Sequence, residues 1–106
     1  MLKFFNTLTR KIEEFRPIKK RKVGLYSCGP TVYDFIHIGN YRAYVSSDLL
    51  KRYLEYLGFK VKHVMNITDV DDKTIRDSQK AKKTLKEFTD FYLKFFLNGQ
   101  QKARDY

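Results

Sequence analysis

Residues 28–40 read CGPTVYDFIHIGN, and this stretch decides the fold because it lies where a strand should pass into a helix. It holds the single thiol of the chain at Cys28, a turn at Gly29 and Pro30, and a His37-x-Gly39 step that opens the predicted helix. The free N–H groups at a helix start attract anions, and a thiolate is a preferred zinc ligand. The stretch therefore predicts a nucleotide-phosphate site with a metal ligand beside it.

The segments on either side predict a strand–helix–strand unit. Lys22–Ser27 is rich in β-branched and aromatic residues, as a short strand is. Residues 40–57 place apolar side chains at helical spacing, and Gly58 follows where a helix often ends with a positive φ. Residues 60–66 predict a second strand. Such a unit predicts an α/β fold with two parallel strands joined by a right-handed crossover.

The outer segments carry weaker patterns. Residues 2–5 are compatible with an edge strand, residues 9–15 are ambiguous, and residues 69–83 predict a polar helix beginning near residue 71. Thr84 and Glu87 fit a capping box, in which each side chain bonds the backbone of the other. The helix that follows is expected to face the core through an apolar stripe, and residues 100–106 carry no pattern. The stripe consists of Leu85, Phe88, Phe91, Tyr92, Phe95 and Phe96.

Composition narrows the class of protein. The 106 residues suit one small domain, and no apolar run is long enough to cross a bilayer. A single cysteine excludes an internal disulfide and favours a cytoplasmic location. The net charge of +10 indicates a polyanionic partner such as nucleic acid or nucleotide phosphates, although a basic surface alone would explain it equally. The densest basic run is residues 19–22.

Parallel strands bring their carboxyl ends to one edge, so the two strand ends should share a crevice. Cys28 ends the first strand, while Thr68 and Asp69 follow the second. At the helix start, Gly39 would allow a phosphate or adenine close to the backbone, and His37 could donate a hydrogen bond to a phosphate oxygen. Taken singly, the histidine could be structural and the cysteine a small buried apolar residue. Neither a phosphate-binding Walker loop nor a dinucleotide-binding glycine motif occurs.

Four blocks in order resemble the cysteinyl-tRNA synthetases: residues 6–10 (NTLTR), 26–34 (YSCGPTVYD), 37–40 (HIGN) and 66–73 (NITDVDDK). The third block is similar to the HIGH signature of class I synthetases, with Asn40 in the last place. The resemblance implies a Rossmann-type parallel sheet, incomplete here, with C-terminal helices. It also implies that ATP, with magnesium, activates cysteine to cysteinyl-adenylate, and that the cysteinyl group passes to tRNA(Cys).

The resemblance also implies roles for single residues. Cys28 matches one of four zinc ligands, and that zinc binds the thiolate of the substrate cysteine. Lys73 is interpreted as part of a surface charge network rather than of the site, and His63 is rejected as a zinc ligand. The catalytic positions are His37 and Asn40. The ATP-binding positions are Pro30, Thr31, His37, Ile38, Gly39 and Asn40, and the positions lining the amino-acid pocket are Cys28, Gly29, Thr31 and Thr68.

The four matching blocks correspond to only part of a cysteinyl-tRNA synthetase. The remaining zinc ligands, the KMSKS loop and the anticodon-binding domain do not occur in the sequence, so residues 1–106 are expected to be the N-terminal portion of a catalytic domain. We expect the chain alone to bind zinc weakly or not at all, to charge no tRNA, and to self-associate through its aromatic helix. Two other functions stay open: a non-catalytic module that binds ATP or tRNA, and a related ATP-dependent cysteine ligase acting on an amino-sugar.

Overall fold

The computed structural model describes residues 1–104, and side-chain surroundings are described for residues 1–101. Asp105 and Tyr106, the last residues of the tail that carried no pattern, lie outside the described residues. The order of the elements is β1 (Lys3–Asn6), β2 (Lys11–Glu14), β3 (Lys22–Ser27), α1 (Ile38–Tyr56), β4 (Lys60–Met65), α2 (Asp72–Lys80) and α3 (Leu85–Arg104). In the described part of the chain, no helix is long and apolar enough to span a membrane.

The central unit is β3–α1–β4, and it confirms the prediction of a parallel pair. Val23 lies opposite Val61 and Ser27 opposite Met65, in one continuous parallel register. Helix α1 ends as predicted, with Gly58 at φ 91°. The Gly58 N–H bonds the Glu55 carbonyl and the Phe59 N–H bonds the Leu54 carbonyl, which is the double bond of a Schellman motif. This motif turns the chain directly into β4.

The first strands form a separate antiparallel hairpin. β1 pairs with β2 so that Lys3 faces Glu14 and Asn6 faces Lys11. The strand predicted at residues 2–5 is therefore present, but its partner is the ambiguous segment and not the parallel sheet. Phe15 connects the hairpin to the main body, since its ring makes edge contacts with Phe4 and Phe59 at centroid distances of 5.6 and 5.9 Å.

Helix α3 includes Asn98 and Gly99 and continues to Arg104, into the segment that carried no pattern. A Cβ at Gly99 would overlap the hydroxyl of Tyr41 on α1, so this glycine lets two helices approach closely rather than ending one. At the other end, Thr84 accepts the Glu87 N–H at 3.2 Å. The reciprocal bond of the predicted capping box is not found among the described residues.

The core is formed by side chains from β3, the loop that precedes α1, α1 and α3. Its buried apolar side chains are Val23, Val32, Leu54, Phe88 and Phe96. The aromatic stripe of α3 is thus only partly core-facing, because Phe91 and Phe95 remain 45% and 50% exposed.

Candidate nucleotide site at the strand ends

The two strand ends meet beyond the sheet, as the sequence predicted. The parallel pairing resumes between Thr31 and Thr68 after β3 and β4 have ended. The Thr68 N–H donates to the Pro30 carbonyl at 2.9 Å, and the Val32 N–H donates to the Thr68 carbonyl at 3.0 Å. These bonds hold the loop that carries Cys28, Gly29 and Thr31 against the segment that follows β4.

The Asn66 side chain stabilises this junction through two hydrogen bonds. The sequence alone did not assign Asn66 to the site. Its Oδ1 accepts the Gly29 N–H at 2.7 Å, and its Nδ2 donates to the Thr68 hydroxyl at 3.2 Å. A Cβ on Gly29 would overlap the Asn66 carbonyl oxygen. Gly29 is therefore required by a close approach of two backbone segments. The signal that could have found Asn66 is its place as the first residue after β4, at the carboxyl end of a parallel strand.

His37 caps the start of α1. Its Nδ1 accepts the Gly39 N–H at 3.1 Å, while the His37 N–H donates to the Asn40 Oδ1 at 3.2 Å, which completes a capping box. A neutral imidazole whose Nδ1 accepts a hydrogen bond carries its proton on Nε2. His37 thus presents a donor, and the Asn40 Nδ2 has no partner among the described residues.

Gly39 lies beside the ring that caps its own helix. A Cβ there would come within 2.9 Å of the His37 Cε1. The glycine therefore makes room for the capping imidazole at the start of α1. Ile38, the first residue of α1, is 87% exposed.

A cavity of about 240 Å³ lies between the loop and the two helix starts. Five residues of the predicted site contribute to its wall, whereas Cys28, Thr68, Ile38 and Gly39 do not. The contributing residues are Gly29, Pro30, Thr31, His37 and Asn40. Tyr33, Asp34, Phe35, Ile36 and Lys73 complete the wall, and the sequence reasoning assigned none of them to the site.

Lys73 lines the cavity, although the sequence reasoning left it outside the site. Its ammonium lies 5.0 Å from the centroid of the Tyr33 ring and forms no ion pair with Asp71 or Asp72 among the described residues. Asp71 uses its carboxylate to cap α2, accepting the Lys73 backbone N–H at 3.2 Å. The signal in the sequence was position, since a residue in the first turn of a helix that follows a parallel strand lies near the ligand edge.

Cys28 lies beside the cavity with an exposed thiol, whose Sγ is 3.7 Å from the Gly29 carbonyl oxygen. Its neighbourhood includes Tyr44, whose pKa is raised by burial and further by the negative charges that Cys28 and Tyr41 acquire on ionisation. Among the described residues, no group of three His, Cys, Asp or Glu side chains could hold a metal ion. The described residues therefore do not form a tetrahedral zinc site by themselves.

His63 is engaged in the sheet. Its Nε2 lies 2.6 Å from the Ser27 hydroxyl on the neighbouring strand, in a half-buried hydrogen bond. This contact places His63 in cross-strand packing.

The sequence profile described as the class I (C) tRNA synthetase catalytic domain matches residues 14–103. The chain belongs to this family. The predicted α/β fold is thereby confirmed. In this chain the 37–40 block lies at the start of α1, and the 66–73 block joins β4 to α2.

Individual members of the class I (C) family are closely similar. The chain is 58% identical over 99 residues to a protein named cysteine–tRNA ligase from Methanosarcina acetivorans, covering 93% of this chain and 21% of that protein. It is 53% identical over 96 residues to a cysteine–tRNA ligase from Koribacter versatilis, covering 91% of this chain and 19% of that protein. A cysteine–tRNA ligase from Acholeplasma laidlawii is 53% identical over 106 residues, covering 100% of this chain and 24% of that protein. The chain spans about a fifth of the length of these relatives.

Proposed function

We propose that this chain supplies the HIGH half of the active site of a cysteine–tRNA ligase, as the N-terminal portion of its catalytic domain. The observation that carries the proposal is the reciprocal capping of α1 by His37 and Asn40 at the wall of the cavity. This arrangement leaves two donors, the His37 Nε2–H and the Asn40 amide, for an anionic ligand. The names and high identities of the relatives support cysteine, ATP and tRNA(Cys) as the substrates.

The helix start favours a negative ligand. Helix α2 has Asp72 in its first turn and Asp71 as its cap, so its positive end is already compensated. Helix α1 has no acidic residue in its first turn. A phosphate at the start of α1 would receive hydrogen bonds and a favourable helix field together. This contrast supports ATP, with magnesium, as the ligand of the α1 end.

The proposed reaction has two steps. The carboxylate oxygen of cysteine attacks the α-phosphorus of ATP, a P–O bond forms, and the bond to pyrophosphate breaks. The tRNA 3′-terminal hydroxyl then attacks the cysteinyl carbonyl, loses its proton, and AMP leaves. His37 and Asn40 would stabilise the charge that grows on the phosphate oxygens of the first step. Pro30, Thr31, Ile38 and Gly39 would shape the ATP side of the site.

The amino-acid side would be formed by Cys28, Gly29, Thr31 and Thr68. Cys28 would provide one thiolate to a zinc ion only together with donors that the described residues lack. A zinc ion in such a site prefers a thiolate to a hydroxyl, which would separate cysteine from serine. The free thiol of Cys28 suits a reducing compartment, and we propose that the ligase acts in the cytoplasm.

A second candidate is a non-catalytic module that binds RNA. It is favoured by a cluster of cations on the loop before β3 and on β4. In the described part of the chain none of them forms an ion pair, so each remains available to phosphate. The cluster consists of Lys19, Lys20, Arg21, Lys22, Lys60 and Lys62.

We also propose that α3 mediates self-association of the isolated chain. Phe91 and Phe95 are half-exposed and lie in one aromatic group with Phe35, at centroid distances of 6.2 and 5.0 Å from its ring. Exposed aromatic area of this kind favours contact between copies. Sedimentation of the chain should show dimers or larger species, and Phe95→Glu should shift it to the monomer. A monomer for the unaltered chain would contradict the proposal.

A chimera tests the proposed ligase directly. The matching segment of the Methanosarcina acetivorans relative is replaced by this chain, and cysteine-dependent exchange of pyrophosphate into ATP is measured. We expect exchange within about tenfold of the parent enzyme, and a loss of about a hundredfold in His37→Ala, the scale of one removed oxyanion donor. Arg52→Ala, an exposed change on α1 whose partner is Asp48, is the matched control.

Two results would separate the candidates. A folded chimera without exchange would refute the ligase proposal. RNA binding by the 106-residue chain together with that inactive chimera would favour the non-catalytic module. The 106-residue chain alone is expected to show no exchange with zinc supplied, and exchange above background would show that its residues suffice for activation.

A further inference from the structure

Lys73 is an unpaired cation on the wall of the cavity. The ion pairs found among the described residues involve other side chains, and the nearby Asp71 carboxylate bonds the Lys73 backbone instead of its ammonium. A lysine head group without a carboxylate partner remains free to bind an incoming anion.

The Tyr33 ring determines where this ammonium lies. At 5.0 Å from the ring centroid, the Lys73 Nζ is within cation–π range. Tyr33 belongs to the loop between β3 and α1, so the contact joins the first turn of α2 to the loop that leads to His37. The lysine is thereby oriented along the cavity wall that contains His37 and Asn40.

The charges around the cavity suit an anion with several acceptor oxygens. Asp34 is the carboxylate on the wall, and its Oδ1 accepts the Phe35 N–H at 2.7 Å, which ties it to its own turn. The hydrogen-bond donors on the wall are the Lys73 ammonium, the His37 Nε2–H and the Asn40 amide. The three donors belong to residues that line one small cavity, and such a set suits the oxygens of a phosphate group.

We propose that Lys73 binds a phosphate of the ATP triphosphate in the cavity that His37 and Asn40 also line. This inference rests on the proposed ligase function and adds a residue to the site that the HIGH signature does not contain. Tyr33 is its positioning residue, because its ring holds the ammonium through a cation–π contact.

The binding of ATP and of adenosine to the 106-residue chain tests the inference without catalysis. The unaltered chain should bind ATP at least tenfold more tightly than adenosine, since a hydrogen bond between charged groups contributes about that factor. Lys73→Met should lower the affinity for ATP about tenfold and leave the affinity for adenosine unchanged. Lys83→Met is the matched control, because Lys83 also lies over an aromatic ring, Phe91 at 5.4 Å, but does not line the cavity. An unchanged preference in Lys73→Met, or none in the unaltered chain, would overturn the inference.

Kinetics of the chimera show whether Lys73 binds a phosphate of ATP or a phosphate of RNA. Lys73→Met should raise the KM for ATP about tenfold and leave the KM for cysteine unchanged, and Lys73→Arg should restore part of the loss. A rise confined to the KM for tRNA would assign Lys73 to an RNA phosphate and overturn the assignment to ATP. If the Lys73→Met chimera is active with unchanged ATP kinetics, only the role of Lys73 is refuted. If the chimera that retains Lys73 is inactive, the proposed function itself is refuted.

Discussion

Replacing Gly29 by alanine should destabilise the chain because two backbone segments meet at this residue. The new Cβ would overlap the Asn66 carbonyl oxygen and approach the Met65 Cγ to 2.8 Å. A carbonyl belongs to the backbone and cannot rotate away, so the loop and the segment after β4 must separate.

The separation would break three hydrogen bonds. They are Gly29 N–H to Asn66 Oδ1 at 2.7 Å, Thr68 N–H to the Pro30 carbonyl at 2.9 Å, and Val32 N–H to the Thr68 carbonyl at 3.0 Å. Each contributes about 1 kcal/mol to the free energy of unfolding, so the expected loss is about 3 kcal/mol.

Gly24→Ala is a matched control within the same strand–loop segment. A Cβ at Gly24 would meet nothing within 4 Å. Alanine is favoured over glycine inside a strand, so this variant should gain about 0.5 kcal/mol in unfolding free energy. Urea denaturation followed by circular dichroism measures both variants. Equal midpoints for Gly29→Ala and Gly24→Ala would refute the argument that Gly29 is required by the close approach.

Three further predictions concern the helices and their contacts. Gly99→Ala should be rescued by about 1 kcal/mol when Tyr41→Phe is added, since the overlap involves the Tyr41 hydroxyl; a double-mutant cycle in urea measures the coupling, and simple additivity would contradict it. Burial raises the pKa of Tyr44, so its contribution to stability is present below the unfolded pKa of about 10 and is lost as the pH rises through the folded value. The unfolding free energy should therefore fall more steeply above pH 10 in the unaltered chain than in Tyr44→Phe, and equal slopes would exclude the effect. Phe35→Ala removes three edge contacts with rings of α3 and, since Phe35 is half-exposed, should cost about 1–2 kcal/mol in a thermal melt, with Phe5→Ala as a control of greater exposure and no ring contact among the described residues.

The sequence predicted those parts of the fold that depend on local pattern. Helical spacing and Gly58 together marked α1 and its end, because a positive φ after a helix is a property of the glycine backbone itself. β-Branched and aromatic residues marked β3, Val61 and Val64 marked β4, and the short crossover implied that the two strands are parallel. Asp71 at the start of a polar segment marked α2.

What the sequence left open depends on contacts between segments. Gly99 lies inside α3, where the Tyr41 hydroxyl on α1 occupies the place that its side chain would take. Residues 9–15 were ambiguous because their partner, β1, precedes them by a turn and pairs in a sheet of its own.

The features of the candidate site also divide into those that the sequence predicted and those that only the structure revealed. The sequence by itself determined the cap at the start of α1, since His37, Gly39 and Asn40 are close neighbours along the chain. Only the tertiary structure decided that Lys73 lies on the cavity wall and that Asn66 holds Gly29 in place. The physical reason is the sequence separation of the contacting residues. A helix cap is formed within one turn, whereas a cavity exists only after β3 and β4 have paired and brought two loops together.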